Sequence, residues 1–370
     1  MEKKFAYSIG VDLHKDSMTI VVLDANGVLA ERKSISTKCK NKVREFFSSY
    51  GLQSQVAVES VGFYQWFWEL VRPVVGKMYL ADPAGVRACA GRKSKTDRND
   101  AHLLALLVYD GRIPCAYVPE EPVRSLRELV RLRHSLARNL ASSRKSLRWV
   151  SLKTNLPGPK EFTSDRAQKW ILAQEDKFSA AAQIACRFHL DRIINFERHV
   201  ADIERVIEKR ILEFPELARQ YSLLKSVPGI GKISAATIIV ETGEITRFGK
   251  PDELSSYAGL CPKVSQSGET VHHGHISKMG PPVLRWVLQQ SAWVAVREDE
   301  NIRKVFNRIR RTAGKKKAAT AIARKLLIYG WSVCRIGSPF KWPEKDVTKR
   351  EVIQDKGIAK EDLSGWYCQL

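Results

Sequence analysis

Apolar and polar positions alternate over short spans at the start of the chain, and the apolar ones are β-branched. Residues 7–13 and 17–24 read as strands, and Asn26-Gly27 marks a tight turn into a third strand at 28–35. The pattern then predicts a helix over 41–50 and a short buried strand at 56–59. An aromatic-rich helix over 63–72 and a strand at 77–81 follow. A helix over 97–110 carries Leu103, Leu104, Leu106 and Leu107. Three hairpin-joined strands followed by alternating helices and strands, in the order βββαβαβα, predict an α/β sheet covered by helices.

After residue 118 the period lengthens. Leu126, Leu129, Leu132, Leu136, Leu140 and Leu147 recur at helical spacing, as do Ile193, Phe196, Val200, Ile203, Ile207 and Ile211. Pro157-Gly158-Pro159 lies between the two runs and predicts a connection. The runs read as two long helices that pack on each other or on a second copy. A coiled-coil dimer arm and a plain helical linker fit equally well. From about 220 a mainly helical domain is expected, with helices over 232–241 and 283–296. The expected division is 1–118, an α/β domain; 119–215, a helical arm; 216–335, a C-terminal domain; and 336–370, a tail.

Charge narrows the function. Lys and Arg number 62 against 40 acids, a formal charge of +22. Nine of those cations lie in 123–153 beside one acid, Glu128, and ten lie in 303–325 with no acid. Such clustering favours a polyanion through counterion release. Arg131, Arg138, Arg144 and Lys145 are the candidate contacts on the first stretch. No apolar run approaches the roughly 20 residues that span a bilayer. A membrane partner is therefore not expected, and a cytoplasmic, nucleoid-associated location is. The seven cysteines form no CxxC pair and indicate neither a disulfide framework nor a zinc site. His272, His273 and His275 read as part of an exposed hairpin.

Candidate chemistry lies in four acids. Asp12 stands in an apolar strand, where a carboxylate is costly to bury. Glu59 ends another strand. Asp97 and Asp100 are three apart at a helix start and so share one face. Singly, each has a plain reading, such as a helix cap for Asp97. Jointly they suit phosphoryl transfer, in which paired divalent ions stabilise attacking and leaving oxygens. Carboxylates suit Mg2+, with Mn2+ as a substitute.

The segments Ile9-Gly10-Val11-Asp12-Leu13-His14-Lys15, Val58-Glu59-Ser60 and Lys95-Thr96-Asp97-Arg98-Asn99-Asp100-Ala101 resemble the DEDD transposases of insertion-sequence family 110. That IS110/IS116/IS902 group includes the Piv and MooV DNA invertases. The resemblance implies an RNase H-like fold for the first domain, similar to the junction resolvase RuvC. It also implies that Asp12, Glu59, Asp97 and Asp100 form the metal-binding set. Tyr257-Ala258-Gly259-Leu260, Gln266-Ser267-Gly268 and Ile276-Ser277-Lys278-Met279-Gly280 resemble the same family's C-terminal domain. There the resemblance places the nucleophilic serine on Ser267 and implies a covalent phosphoserine link to DNA. For several members the family implies a non-coding guide RNA that pairs with donor and target DNA. A dimer or tetramer is expected from the arm and the family.

Val227-Pro228-Gly229-Ile230-Gly231 before a helix resembles a helix-hairpin-helix turn, in which Gly229 and Gly231 let backbone N–H groups approach phosphate. Lys225 and Lys232 flank it, and Lys278 and Arg285 are further candidates for phosphate. Two other functions fit the same residues. One is a metal-only junction nuclease using water; the other is a nucleic-acid-binding module without chemistry.

Overall fold

The computed structural model describes residues 5–89, 97–267 and 270–342, without the side chains of 97–99, 264–267 and 270–273. The Asp97 and Ser267 side chains, and the tail from 343 on, thus lie outside the described residues. The chain divides into two compact units, Met1–Val118 and Pro119–Leu370.

In the first unit β1 (Tyr7–Leu13), β2 (Ser17–Leu23) and β3 (Leu29–Ser36) precede α1 (Lys40–Tyr50) and β4 (Ser54–Glu59). Then come α2 (Gln65–Val71), β5 (Lys77–Ala81), α3 (Pro83–Cys89) and α4 (Asp97–Tyr109). The strands form one sheet in the order β3-β2-β1-β4-β5. The first three pair antiparallel, while β1, β4 and β5 pair parallel. Gly27, with φ of 76°, makes the expected turn between β2 and β3. Helix α3 does not emerge from the sequence pattern, since Pro83 and Gly85 dilute its periodicity. The Asp82 carboxylate fixes its first turn by accepting the Gly85 N–H at 2.8 Å.

Strand alternation divides the apolar side chains between two faces. Ile9, Val11, Val56 and Val58 pack with Val43 and Phe47 of α1 and Phe67 and Val71 of α2. On the opposite face Val21 and Leu23 meet Ala101 and Ala105 of α4, and Ala57 and Ala81 meet Leu104 and Leu107. Gly10 lies directly beneath α4. A Cβ there would come within 2.1 Å of the Ala101 carbonyl oxygen and 2.4 Å of the Ala105 nitrogen. This sheet order, with helices on both faces, is compatible with an RNase H-like domain.

The second unit begins with α5 (Val123–Lys153), α6 (Ser164–Leu172) and α7 (Ala180–Leu212). Helices α5 and α7 run antiparallel. Arg133 reaches Glu204 at 2.7 Å and Arg144 reaches Glu197 at 2.7 Å, so later α5 residues meet earlier α7 residues. The buried stripe of α5 is Leu126, Val130, His134, Leu140, Ser143, Leu147 and Ser151. Leu132, which the sequence pattern placed on that stripe, is 49% exposed. Six residues past Leu126, the helix has turned to its far side. Toward the far end of the pair, Leu140, Leu147, Cys186 and Ile193 close over Phe162 and Trp170.

Near its start, α5 joins a larger helical core. That core is built by α8 (Pro215–Lys225), α9 (Lys232–Thr242), α10 (Pro251–Tyr257), α11 (Pro282–Glu298), α12 (Glu300–Ala313) and α13 (Lys315–Ile336). A hairpin of β6 (Pro262–Ser267) and β7 (Thr270–Ile276) lies between α10 and α11. The basic stretch 303–325 is split between two helices at Gly314, where φ is 82°. No helix of the described residues is long and apolar enough to cross a membrane.

His134 sits buried where α5 meets α9 and α11. The Thr237 hydroxyl spends its proton on the Ile233 carbonyl, so it accepts the His134 Nε2–H at 3.2 Å. The Trp286 ring stands edge-on at 5.2 Å. Burial, reinforced by the Arg133 charge, pushes the imidazole down to about 4 from 6.5. The unfolded chain therefore takes up this proton first, and stability falls as pH drops from 6.5 to about 4. The expected contribution to that fall is about 3 kcal/mol. His134→Gln should flatten the acid side of the urea-midpoint profile by a comparable amount. An unchanged profile would refute the assignment.

Candidate active site

The local structure around Asp12 follows from strand parity. Gly10 faces α4, so Asp12, two residues on, faces the same way. Ala57 also packs on the α4 side, which gives Glu59 the same direction. Val11 pairs with Val58 in parallel register, and each acid is the next residue on its strand. Asp12 and Glu59 therefore stand side by side on neighbouring strands, about 4.8 Å apart in backbone spacing. Asp12 is only 7% exposed, and its Oδ2 accepts a hydrogen bond from His14 Nε2 at 3.0 Å.

Helix α4 completes the arrangement through its direction. Its residues 101 and 105 lie over Gly10, while its Val108 carbonyl accepts from Gln55 Nε2 at the beginning of β4. The helix thus runs against β1, and its N-terminus overlies the carboxyl ends of β1 and β4. Asp97 and Asp100 belong to that first turn, and the half-buried Asp100 directly precedes Ala101. Asp12 and Glu59 thus end neighbouring strands on the sheet face that α4 covers, and Asp97 and Asp100 lie in the first turn of that helix. Among the described residues no three His, Cys, Asp or Glu side chains gather closely enough to hold an ion. The donor set is nevertheless of one kind, carboxylate oxygens, which suits a hard divalent cation. The sequence pattern supplied the acids but not the His14 contact, which depends on the bend after β1.

In the second unit Ser267 is the last residue of β6, paired with Thr270 across the hairpin end. His272, His273 and His275 lie on β7, in the hairpin their spacing predicts. Gly229, with φ of 78°, packs tightly: a Cβ would come within 2.5 Å of the Ser291 carbonyl oxygen of α11. Gly231 instead leaves open space where a Cβ would stand. Lys225 lies over the Tyr221 ring at 4.9 Å.

Several candidate cations are engaged within the chain. Arg131 forms a two-pronged bond to the fully buried Glu241 at 2.8 and 2.9 Å. Arg144 pairs with Glu197 and Glu161, and Lys232 with Glu208 at 2.9 Å. Arg285 donates to the carbonyls of Ala258, Met279 and Gly280. It holds together the two glycine turns at Gly259 and Gly280. Sequence charge alone does not distinguish these braces from the exposed Arg138, Lys145 and Lys278.

Comparison with known proteins assigns both units. Residues 9–151 match a transposase family model, the DEDD transposase of IS110, and residues 221–307 match the transposase IS116/IS110/IS902 family. Together the two matches cover more than half of the chain. A putative transposase, y4qE, of Sinorhizobium fredii is 27% identical over 299 residues, covering 72% of each chain. The pilin gene-inverting protein of Moraxella bovis is 27% identical over 270 residues, 71% of this chain and 74% of its own. The transposase for insertion sequence element IS1111A of Coxiella burnetii is 23% identical over 308 residues, 79% of each. With one transposase model matched over 9–151 and a second of the same family over 221–307, the chain belongs to the IS110 family of transposases and is a recombinase enzyme.

Proposed function

We propose that the chain cuts and rejoins DNA strands with a divalent cation, Mg2+ by preference, held by Asp12, Glu59, Asp97 and Asp100, and with Ser267 as nucleophile. The observation that carries this reading is that Asp12 and Glu59 end neighbouring parallel strands on the sheet face covered by α4, the helix whose first turn carries Asp97 and Asp100. A cation bound there supplies charge stabilisation to the phosphate oxygens as negative charge builds up on them. Asp12 and Glu59 hold that charge from the strands, and His14 orients the Asp12 carboxylate.

In the covalent step the Ser267 Oγ attacks phosphorus. A phosphorus–oxygen ester bond of the DNA breaks as the serine ester forms. The serine proton passes to a nearby base, and the departing DNA oxygen takes up a proton. Rejoining reverses the exchange: a DNA hydroxyl attacks the phosphoserine and the serine regains its proton. One ester replaces another, so no external energy source is required. Ser267 stands in a hairpin whose sequence resembles the family's C-terminal motif. The exposed cations of α5, α12 and α13 support binding of donor and target DNA and of a guide RNA. The reading includes assembly as a dimer or tetramer.

The test uses the full-length chain with Mg2+ and labelled DNA carrying its own element's ends. A denaturant-resistant protein–DNA adduct should form, and peptide mapping should place the DNA on Ser267. Cleavage with no adduct would mean that water is the nucleophile, and the serine reading would fail.

A further inference from the structure

Helix α11 carries an exposed stripe that the metal and serine chemistry does not use. Trp286, Gln290, Trp293 and Arg297 follow one another at spacings of four, three and four, which places them on one helical face. The opposite face, Leu284, Val287, Leu288, Ser291, Ala292 and Ala295, is buried. Core packing therefore accounts for the second set and not for the first. Trp286 is 49% exposed and Trp293 is 37% exposed. Two half-bare indoles on one stripe are costly in water and call for a covering ligand.

The surroundings identify its chemistry. Lys315 lies over the Trp293 ring at 5.3 Å, and Lys316 and Lys317 follow it, both exposed. Arg310 and Arg311 at the end of α12 are exposed as well. Arg297 pairs with its exposed neighbour Glu298 at 3.4 Å. A flat aromatic surface flanked by lysines and arginines, with an exposed amide at Gln290, matches a strand of unpaired nucleotides. Each base can stack on an indole while its phosphate meets a cation. A duplex keeps its base faces covered and can use only the cations. Seven residues of helix separate the tryptophans by about 10.5 Å, which spans roughly three stacked base steps.

We propose that the Trp286–Trp293 stripe of α11 is a stacking platform for unpaired nucleotides, contacting the strand through both indoles, Gln290 and Lys315. The proposal rests on the reading of the chain as a nucleic-acid recombinase and adds to it a site for single strands. Each ring has an aromatic neighbour at a steep interplanar angle, Trp286 the His134 ring at 5.2 Å and Trp293 the Phe306 ring at 5.7 Å. These contacts restrict the indoles before a ligand arrives, which lowers the entropic cost of stacking.

The experiment measures binding of a short labelled oligothymidine, and of a duplex of equal length, to the full chain by fluorescence anisotropy. Trp286→Ala and Trp293→Ala should each weaken oligothymidine binding roughly tenfold, and the double variant roughly a hundredfold. Duplex binding should change less than about threefold, because the cations remain. Trp→Phe variants should recover most of the affinity, and a thermal melt of each variant reports that the fold is intact. Unchanged oligothymidine binding in the folded double variant would overturn the proposal, as would an equal loss for duplex. Loss of self-association in place of strand binding would also overturn it, since the stripe would then be a protein interface. Asp12→Asn should leave oligothymidine binding intact, so failure of the metal chemistry and failure of this platform read out separately.

Discussion

Asp12→Asn is expected to slow DNA strand cleavage by at least about a thousandfold, because a lost cation ligand removes several kcal/mol of transition-state stabilisation. Asn keeps the size of the side chain and its hydrogen-bonding capacity toward His14, so the sheet should form as before. Stability should move in the opposite direction from activity. A carboxylate that is 7% exposed and stands beside Glu59 suffers both burial and repulsion when no cation is bound. The neutral amide relieves both. Without Mg2+ the variant should therefore melt no lower than the native chain, while added Mg2+ should raise its Tm less. Cleavage at the native rate by Asp12→Asn would remove the metal site from the mechanism.

The second large effect concerns Ser267. Ser267→Ala should abolish the covalent protein–DNA adduct and recombination together while leaving DNA affinity unchanged. The residue closes β6 at the hairpin end, and alanine removes only its hydroxyl. Ser265 lies two residues earlier on the same strand and is the alternative nucleophile. Comparing Ser265→Ala with Ser267→Ala decides between them. An adduct that survives Ser267→Ala and vanishes in Ser265→Ala would transfer the role. Recombination by Ser267→Ala without any adduct would defeat covalent catalysis.

Much of the first unit can be read from its sequence because its strands are short, β-branched and punctuated. Asn26-Gly27 and the alternation around Ile9, Val11 and Leu13 locate β1 to β3 to within a residue. Helix α3 escapes the pattern because Pro83 and Gly85 dilute its periodicity, and α6 because its nine residues hold few apolar positions. The acids could be named from the strands and the helix start that carry them. That α4 lies against the strand face of Asp12 and Glu59 could not, because it depends on Gly10 admitting the helix against β1. The cations are the least legible. Arg131 and Arg138 look alike in a basic helix, and only the tertiary packing shows that Arg131 meets the buried carboxylate of Glu241.

That last contact has a mechanical consequence. Helix α5 runs 31 residues without glycine or proline, about 46 Å of unbroken rod. Near its start it is riveted to α9: Arg127 donates to the Val240 carbonyl at 2.7 Å, and Arg131 grips Glu241. A swing of about 5° at that joint carries the far end through about 3 Å. The rod acts as a lever, so a pull on its distal tip arrives at α9 and at the glycine turn that precedes it.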